Sequence, residues 1–72
     1  MKVEIKATGS LRPLVPPGTI VSDVATVGDA VARLELPETG EMLLLLNGDM
    51  AFWQTELSDG DIVTLVPAMS GG

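Results

Sequence analysis

The sequence predicts a small mixed α/β domain in which one helix packs on a sheet. Three observations lead there. Residues 1–7 alternate, with Val3, Ile5 and Ala7 on one face and Lys2, Glu4 and Lys6 on the other, the period of a half-buried strand. Thr26 opens a stretch in which Val27, Ala30, Val31 and Leu34 recur at helical spacing. Residues 62–66 alternate again, setting Val63 and Leu65 against Ile62, Thr64 and Val66. A single helix cannot cover both faces, so Val63 and Leu65 are the expected core pair.

The elements follow in the order β, β, α, β, a short β, and β. Gly9-Ser10 ends the first strand, and residues 11–18 read as a loop stiffened by Pro13, Pro16 and Pro17. Residues 19–24 resume an extended pattern and are expected to return antiparallel to the first strand. Thr26 suits an N-cap, and Asp29, three residues on, can answer the amide donors of the first turn. Asp29 and Arg33 stand four apart, as an ion pair on the outer face of a helix would. Leu36-Pro37 is expected to stop that helix after two to three turns. Residues 38–41 read as a loop.

Met42 and the four leucines after it form a continuous apolar run, which predicts a strand covered on both faces or set deep in the sheet. Asn47-Gly48-Asp49 is a hairpin turn signal. Residues 50–53 read as a short return strand, with Met50 and Phe52 on one face and Ala51 and Trp53 on the other. Phe52 is assigned to the core, whereas Trp53 fits either the core or a surface anchor. Leu57 is expected to plug the core, and Asp59-Gly60 turns the chain into the last strand.

Composition bounds the rest. Seventy-two residues allow one domain with one modest core, and neither cysteine nor histidine is present to staple it or to form the common zinc sites. Four basic against ten acidic side chains give a net charge of −6, which argues against nucleic acid and anionic membranes. The charge fits a partner with a basic surface, and it equally keeps a small domain soluble. No apolar run approaches the ~20 residues that span a bilayer, and no leader pattern opens the chain, so a cytoplasmic location is expected.

Candidates for chemistry inside the domain are few. Without His or Cys the usual nucleophile–base pairs are missing. Asp59 and Asp61 flank Gly60 and invite a metal or acid–base reading, but turn chemistry accounts for them. Attention moves to the end of the chain. The last strand runs through Val66 into Pro67, which divides residues 1–66 as the domain from 67–72 as a flexible tail. Gly71-Gly72 has no Cβ and is thin enough to enter a narrow channel and present its terminal carboxylate. Val66, Pro67, Ala68 and Met69 make an apolar approach to it, and adaptable Met69 suits a groove that grips the tail. Ser70 has no base near it in sequence and reads as a small, soluble tail residue.

The ordered set Leu46-Asn47-Gly48, then residues 57–63 (Leu-Ser-Asp-Gly-Asp-Ile-Val), Pro67 and Gly71-Gly72 resembles the ThiS/MoaD family of ubiquitin-like sulfur carriers. The likeness extends to Leu11-Arg12-Pro13-Leu14 and to residues 26–31, and so spans nearly the whole chain. It implies an α+β, ubiquitin-like β-grasp fold: a mixed sheet on one main helix, with the final strand central beside the first.

The resemblance also implies a role as carrier and substrate rather than enzyme, or as the small subunit of a sulfur-transfer complex. A ubiquitin-activating-like adenylyltransferase would consume ATP to adenylate the Gly72 carboxylate, no cofactor being bound to the chain itself. A persulfide or similar donor would then leave a thiocarboxylate there. Residues Val66, Pro67, Ala68, Met69, Ser70 and Gly71 would be gripped by partners, among them a downstream sulfur-accepting synthase or larger subunit. Molybdopterin and thiamine-thiazole synthesis are both open as destinations. Ser70 and Met69 depart from the small apolar residues usual before the glycines, which bears on the identity of the partner. Two alternatives remain: a ubiquitin-like modifier conjugated through Gly72, and a β-grasp binding module that does not use the tail.

Overall fold

The structure, a computed structural model, describes residues 1–37 and 41–68. Five strands form one sheet in the order β2-β1-β5-β3-β4. They are β1 (Lys2–Ala7), β2 (Thr19–Ser22), β3 (Met42–Leu46), β4 (Asp49–Ala51) and β5 (Ile62–Pro67), with one helix, α1 (Val27–Arg33), between β2 and β3. β5 runs parallel to β1 and antiparallel to β3. A parallel pair cannot be closed by a hairpin, and here α1 lies within the long connection between its strands. This is the expected β-grasp, with the last strand at the centre of the sheet.

The core lies between α1 and one face of the sheet. Val27 and Ala30 of α1 are fully buried, as are Ile5, Val63 and Leu65 from the two parallel strands. Leu57 is buried as expected. Among the described residues no polar or charged side chain is buried.

Helix α1 begins as the sequence predicts. Thr26 Oγ1 accepts from the Asp29 N–H at 3.2 Å, and Asp29 Oδ2 accepts from the N–H groups of Thr26 and Ala25, both at 3.2 Å. The outer-face ion pair does not form. Arg33 instead donates to the carbonyls of Ser22 (3.0 Å) and Asp23 (3.2 Å), tying the helix end to β2. The helix also stops earlier than Leu36-Pro37: Glu35 takes a left-handed φ of 49°, which ends the helical path.

The stretch read as a loop after β1 is partly regular. Gly9–Leu14 forms a 3-10 helix, held by Leu11 N–H to Thr8 O at 3.1 Å and followed by Val15 N–H to Arg12 O at 3.2 Å. The turns bury Leu11 and Val15, anchoring the segment to the core despite its prolines.

β3 lies inside the sheet, between β5 and β4, as one of the two expectations had it, but it is not covered on both faces. Only Leu44 is fully buried; Leu43 is 42 % exposed and Leu45 is half-exposed. One helix covers one face, and nothing described covers the other. Phe52 is corrected as well: it is 64 % exposed, and Trp53 is 51 % exposed. The return strand ends at Ala51, so both rings leave the sheet, and small Ala51 fills the core position.

Asn47 (φ 52°) and Gly48 (φ 92°) form the tight turn between β3 and β4. Asn47 also pins the start of β5: its Oδ1 accepts from Ile62 N–H at 2.9 Å, and its Nδ2 donates to Asp61 Oδ1 at 3.0 Å. Asp61 Oδ2 accepts from Ser58 N–H at 2.7 Å, and Asp59 Oδ1 from Lys2 N–H at 2.7 Å. These carboxylates serve the turn, as their spacing suggested. Of the expected loop 38–41, residues 38–40 lie outside the described residues. Among the described residues no helix is long and apolar enough to cross a membrane.

Candidate functional site: the root of the C-terminal tail and the open sheet face

β5 is the element from which the chain's end emerges, and it is held on both sides. Glu4, Ile5, Lys6 and Ala7 of β1 pair with Ile62 to Leu65 on one side, and all five residues of β3 pair with Val63 to Pro67 on the other. The strand runs one residue past Val66: Pro67 pairs with Met42 and is half-buried. Pro67 lies so close to Gly9 that a Cβ there would come within 3.2 Å of the proline ring. Ala68, exposed, still donates its N–H to Glu41 O at 3.2 Å. The proposed tail residues Met69, Ser70, Gly71 and Gly72 lie outside the described residues. The end of the chain thus starts from a fixed point on the sheet.

The face opposite α1 carries the residues that alternation turns away from the core. Register aligns them in rows across the sheet: Val66 beside Leu43; Lys6, Thr64, Leu45 and Met50 next; then Ile20, Glu4 and Ile62. Leu43 and Met50 are exposed, while Leu45, Ile62 and Val66 are half-buried. This is a contiguous apolar surface ending at the root of the tail, larger than the patch expected from residues 66–69 alone. Sequence reasoning missed Leu43, Leu45 and Met50. The signal lies in the unbroken leucine run, which an interior strand with one open face carries as well as a strand covered on both faces.

Charge is distributed unevenly around this surface. The four cations are Lys2 and Lys6 on β1, Arg12 in the 3-10 helix, and Arg33 at the end of α1. No Lys or Arg occurs from residue 34 onward, so β3, β4 and β5 and their connections carry acids only. Lys6 and Arg12 line an open groove of about 790 Å³ between β1 and the 8–18 segment. The donated bonds from Asn47 and from Ser58 N–H hold the Asp61 carboxyl below its ordinary range, so it stays ionised beside the apolar face. Among the described residues no cluster of acids has the makings of a metal site.

A mixed sheet with one main helix on it and the last strand at its centre defines a ubiquitin-like β-grasp protein. Residues 5–72 match the ThiS family, and the chain belongs to that family. Its fold is similar to that of SAMP1 from Haloferax volcanii, at 29 % identity and a TM-score of 0.74, covering 100 % of both chains. It is similar to another structure of H. volcanii small archaeal modifier protein 1, at 27 % identity and a TM-score of 0.71, over 94 % of this chain and 98 % of that one. It also shares its fold with a chain in the complex of subunits 1 and 2 of molybdopterin-converting factor from Helicobacter pylori 26695. There the identity is 24 % and the TM-score 0.72, covering 100 % of both chains. No curated protein matches the sequence.

Proposed function

We propose that this protein is a ubiquitin-like modifier that acts through Gly72. A partner adenylyltransferase joins the Gly72 carboxylate to AMP from ATP, releasing pyrophosphate. A carboxylate is a poor electrophile, whereas the acyl-adenylate has a good leaving group. An amino group of a target protein then attacks the acyl carbon, AMP departs, and an amide bond remains. The open face formed by Leu43, Leu45, Met50 and Val66 seats the partner, while Pro67, Ala68, Met69, Ser70 and Gly71 lead the end into its active site. The observation that carries this reading is the similarity, over almost the full chain, to two structures of an archaeal modifier protein.

A second reading shares the first step and is favoured by the family match. In it the terminal sulfur of a persulfide displaces AMP, and a thiol cleaves the resulting S–S bond to leave a Gly72 thiocarboxylate. That end then donates sulfur in the synthesis of a cofactor such as molybdopterin or the thiamine thiazole.

Mass spectrometry of the chain isolated from its own cells separates the two. Arg33 is the last tryptic site, so trypsin would leave residues 34–72 on a modified lysine; digestion after acidic residues is used instead and leaves residues 62–72. Such branched peptides establish the modifier. A gain of about 16 Da placed at Gly72 by fragmentation, distinct from methionine oxidation of similar mass, establishes the carrier. An unmodified end that stays inert with ATP and the activating enzyme overturns both.

A further inference from the structure

The chain has two aromatic side chains, Phe52 and Trp53, and neither is in the core. In a domain this small, rings are the largest apolar groups available for burial, yet both are more than half exposed. They sit on a built knuckle between β4 and β5. Phe52 N–H donates to Thr55 Oγ1 at 2.9 Å, and Thr55 N–H returns a bond to Phe52 O at 3.1 Å. The first turn of α1 clasps the same segment, with Val27 N–H to Thr55 O at 2.9 Å and Gly28 N–H to Trp53 O at 2.8 Å. Only glycine permits that approach, since a Cβ at residue 28 would lie 2.9 Å from the Trp53 oxygen. The two rings are therefore carried on a rigid backbone, which lowers the entropy lost when they are gripped.

The surroundings specify what grips them. Asp49 precedes the pair, Glu56 follows it and Asp29 lies one residue beyond Gly28, all three exposed; no cation occurs anywhere from residue 34 onward. We propose that this knuckle is a docking surface for a second protein, one that presents an apolar pocket rimmed by Arg and Lys. Those cations meet Asp49 and Glu56 and lie over the Trp53 ring, where cation–π attraction adds to the burial of both rings. A second copy meeting this one knuckle to knuckle would bring acid against acid. The bonds that build the knuckle join Val27, Gly28, Phe52, Trp53 and Thr55, so recognition here does not depend on the chemistry of Gly72.

The test places p-benzoylphenylalanine at exposed Gln54 of the full chain in its own cells and maps each photo-crosslink to a residue. The captured protein is then purified and titrated by calorimetry against the wild type and variants. The expected crosslink lies in a patch holding Arg or Lys beside apolar side chains. F52A and W53A each weaken binding at least about tenfold, E56K weakens it, and added salt weakens it further. Removal of Gly71 and Gly72 leaves the affinity unchanged. Both ring variants keep the wild-type Tm, because neither ring supports the core. Crosslinks only to a second copy, no crosslink at all, affinity indifferent to both ring variants, or loss of binding with the two glycines each overturn the proposal.

Discussion

The two faces of the sheet are built from the same strands and much the same residue types, yet they have opposite roles. On β3, Leu44 is 3 % exposed, whereas its neighbour Leu43 is 42 % exposed. On β5, Val63 and Leu65 are fully buried while Ile62 and Val66 are only half-buried. Chemistry does not distinguish these positions; parity along the strand and the single helix do. One face is spent on stability, and the other stays open as far as the root of the tail.

The sharpest test of that division is a pair of truncations. Leu65→Ala is expected to cost about 2–5 kcal/mol by leaving a cavity between β5 and α1. That is a large share of the stability of a domain this size. Leu43→Ala on the open face should cost about 0.5 kcal/mol or less while weakening capture by the activating partner we propose. Urea unfolding of both variants decides it, and equal losses would dissolve the distinction between the faces.

Gly28→Ala tests whether the clasp between α1 and the aromatic knuckle holds the helix on the inner face. A methyl group 2.9 Å from the Trp53 oxygen must push the two segments apart, at about 1–3 kcal/mol. An unchanged thermal midpoint would mean that the contact yields freely. Thr26→Ala removes one side of the capping box and should cost about 1 kcal/mol. A thermal shift of roughly 4–8 °C would accompany such a loss in a domain of this length.

The smallest effect concerns pH. The folded state holds the Asp61 carboxyl below its ordinary range through Asn47 and the Ser58 N–H. Its contribution to stability is therefore present above the unfolded-state pKa near 3.8 and is lost as pH falls through the lower folded value. Asp61→Asn should lower the midpoint slightly at neutral pH and leave the variant and wild type alike in strong acid. Parallel midpoint curves between pH 7 and pH 2 would show that the bonds to Asp61 do not favour its ionised form.

Several of these features were legible before any coordinates. The capping box at Thr26 and Asp29, the stripe of Val27, Ala30 and Val31, the Asn47-Gly48 turn and the burial of Val63 and Leu65 all follow from contacts a few residues apart or from period-two alternation. The sequence also placed Val66 at the end of the last strand; β5 runs on through Pro67, and Ala68 follows it. The rest of the candidate site depended on coverage. Leu43, Leu45 and Met50 joined the site only when the second face of the sheet proved to have no described layer over it.

The sequence by itself determined which residues share a face, where the helix begins and where the hairpin turns, because backbone geometry and short-range hydrogen bonds decide those locally. It also determined the cation-free acidic half of the chain, which needs no coordinates. Only the tertiary structure decided that the leucine run of β3 keeps one face open, that Arg33 serves the carbonyls of Ser22 and Asp23 rather than Asp29, and that Phe52 and Trp53 both stand outside. Those outcomes depend on partners distant in the chain: one short helix, the end of β2, and Ala51 occupying the core position beside Leu44. A strand's alternation states that two faces differ, and the packing of another element states which one is dry.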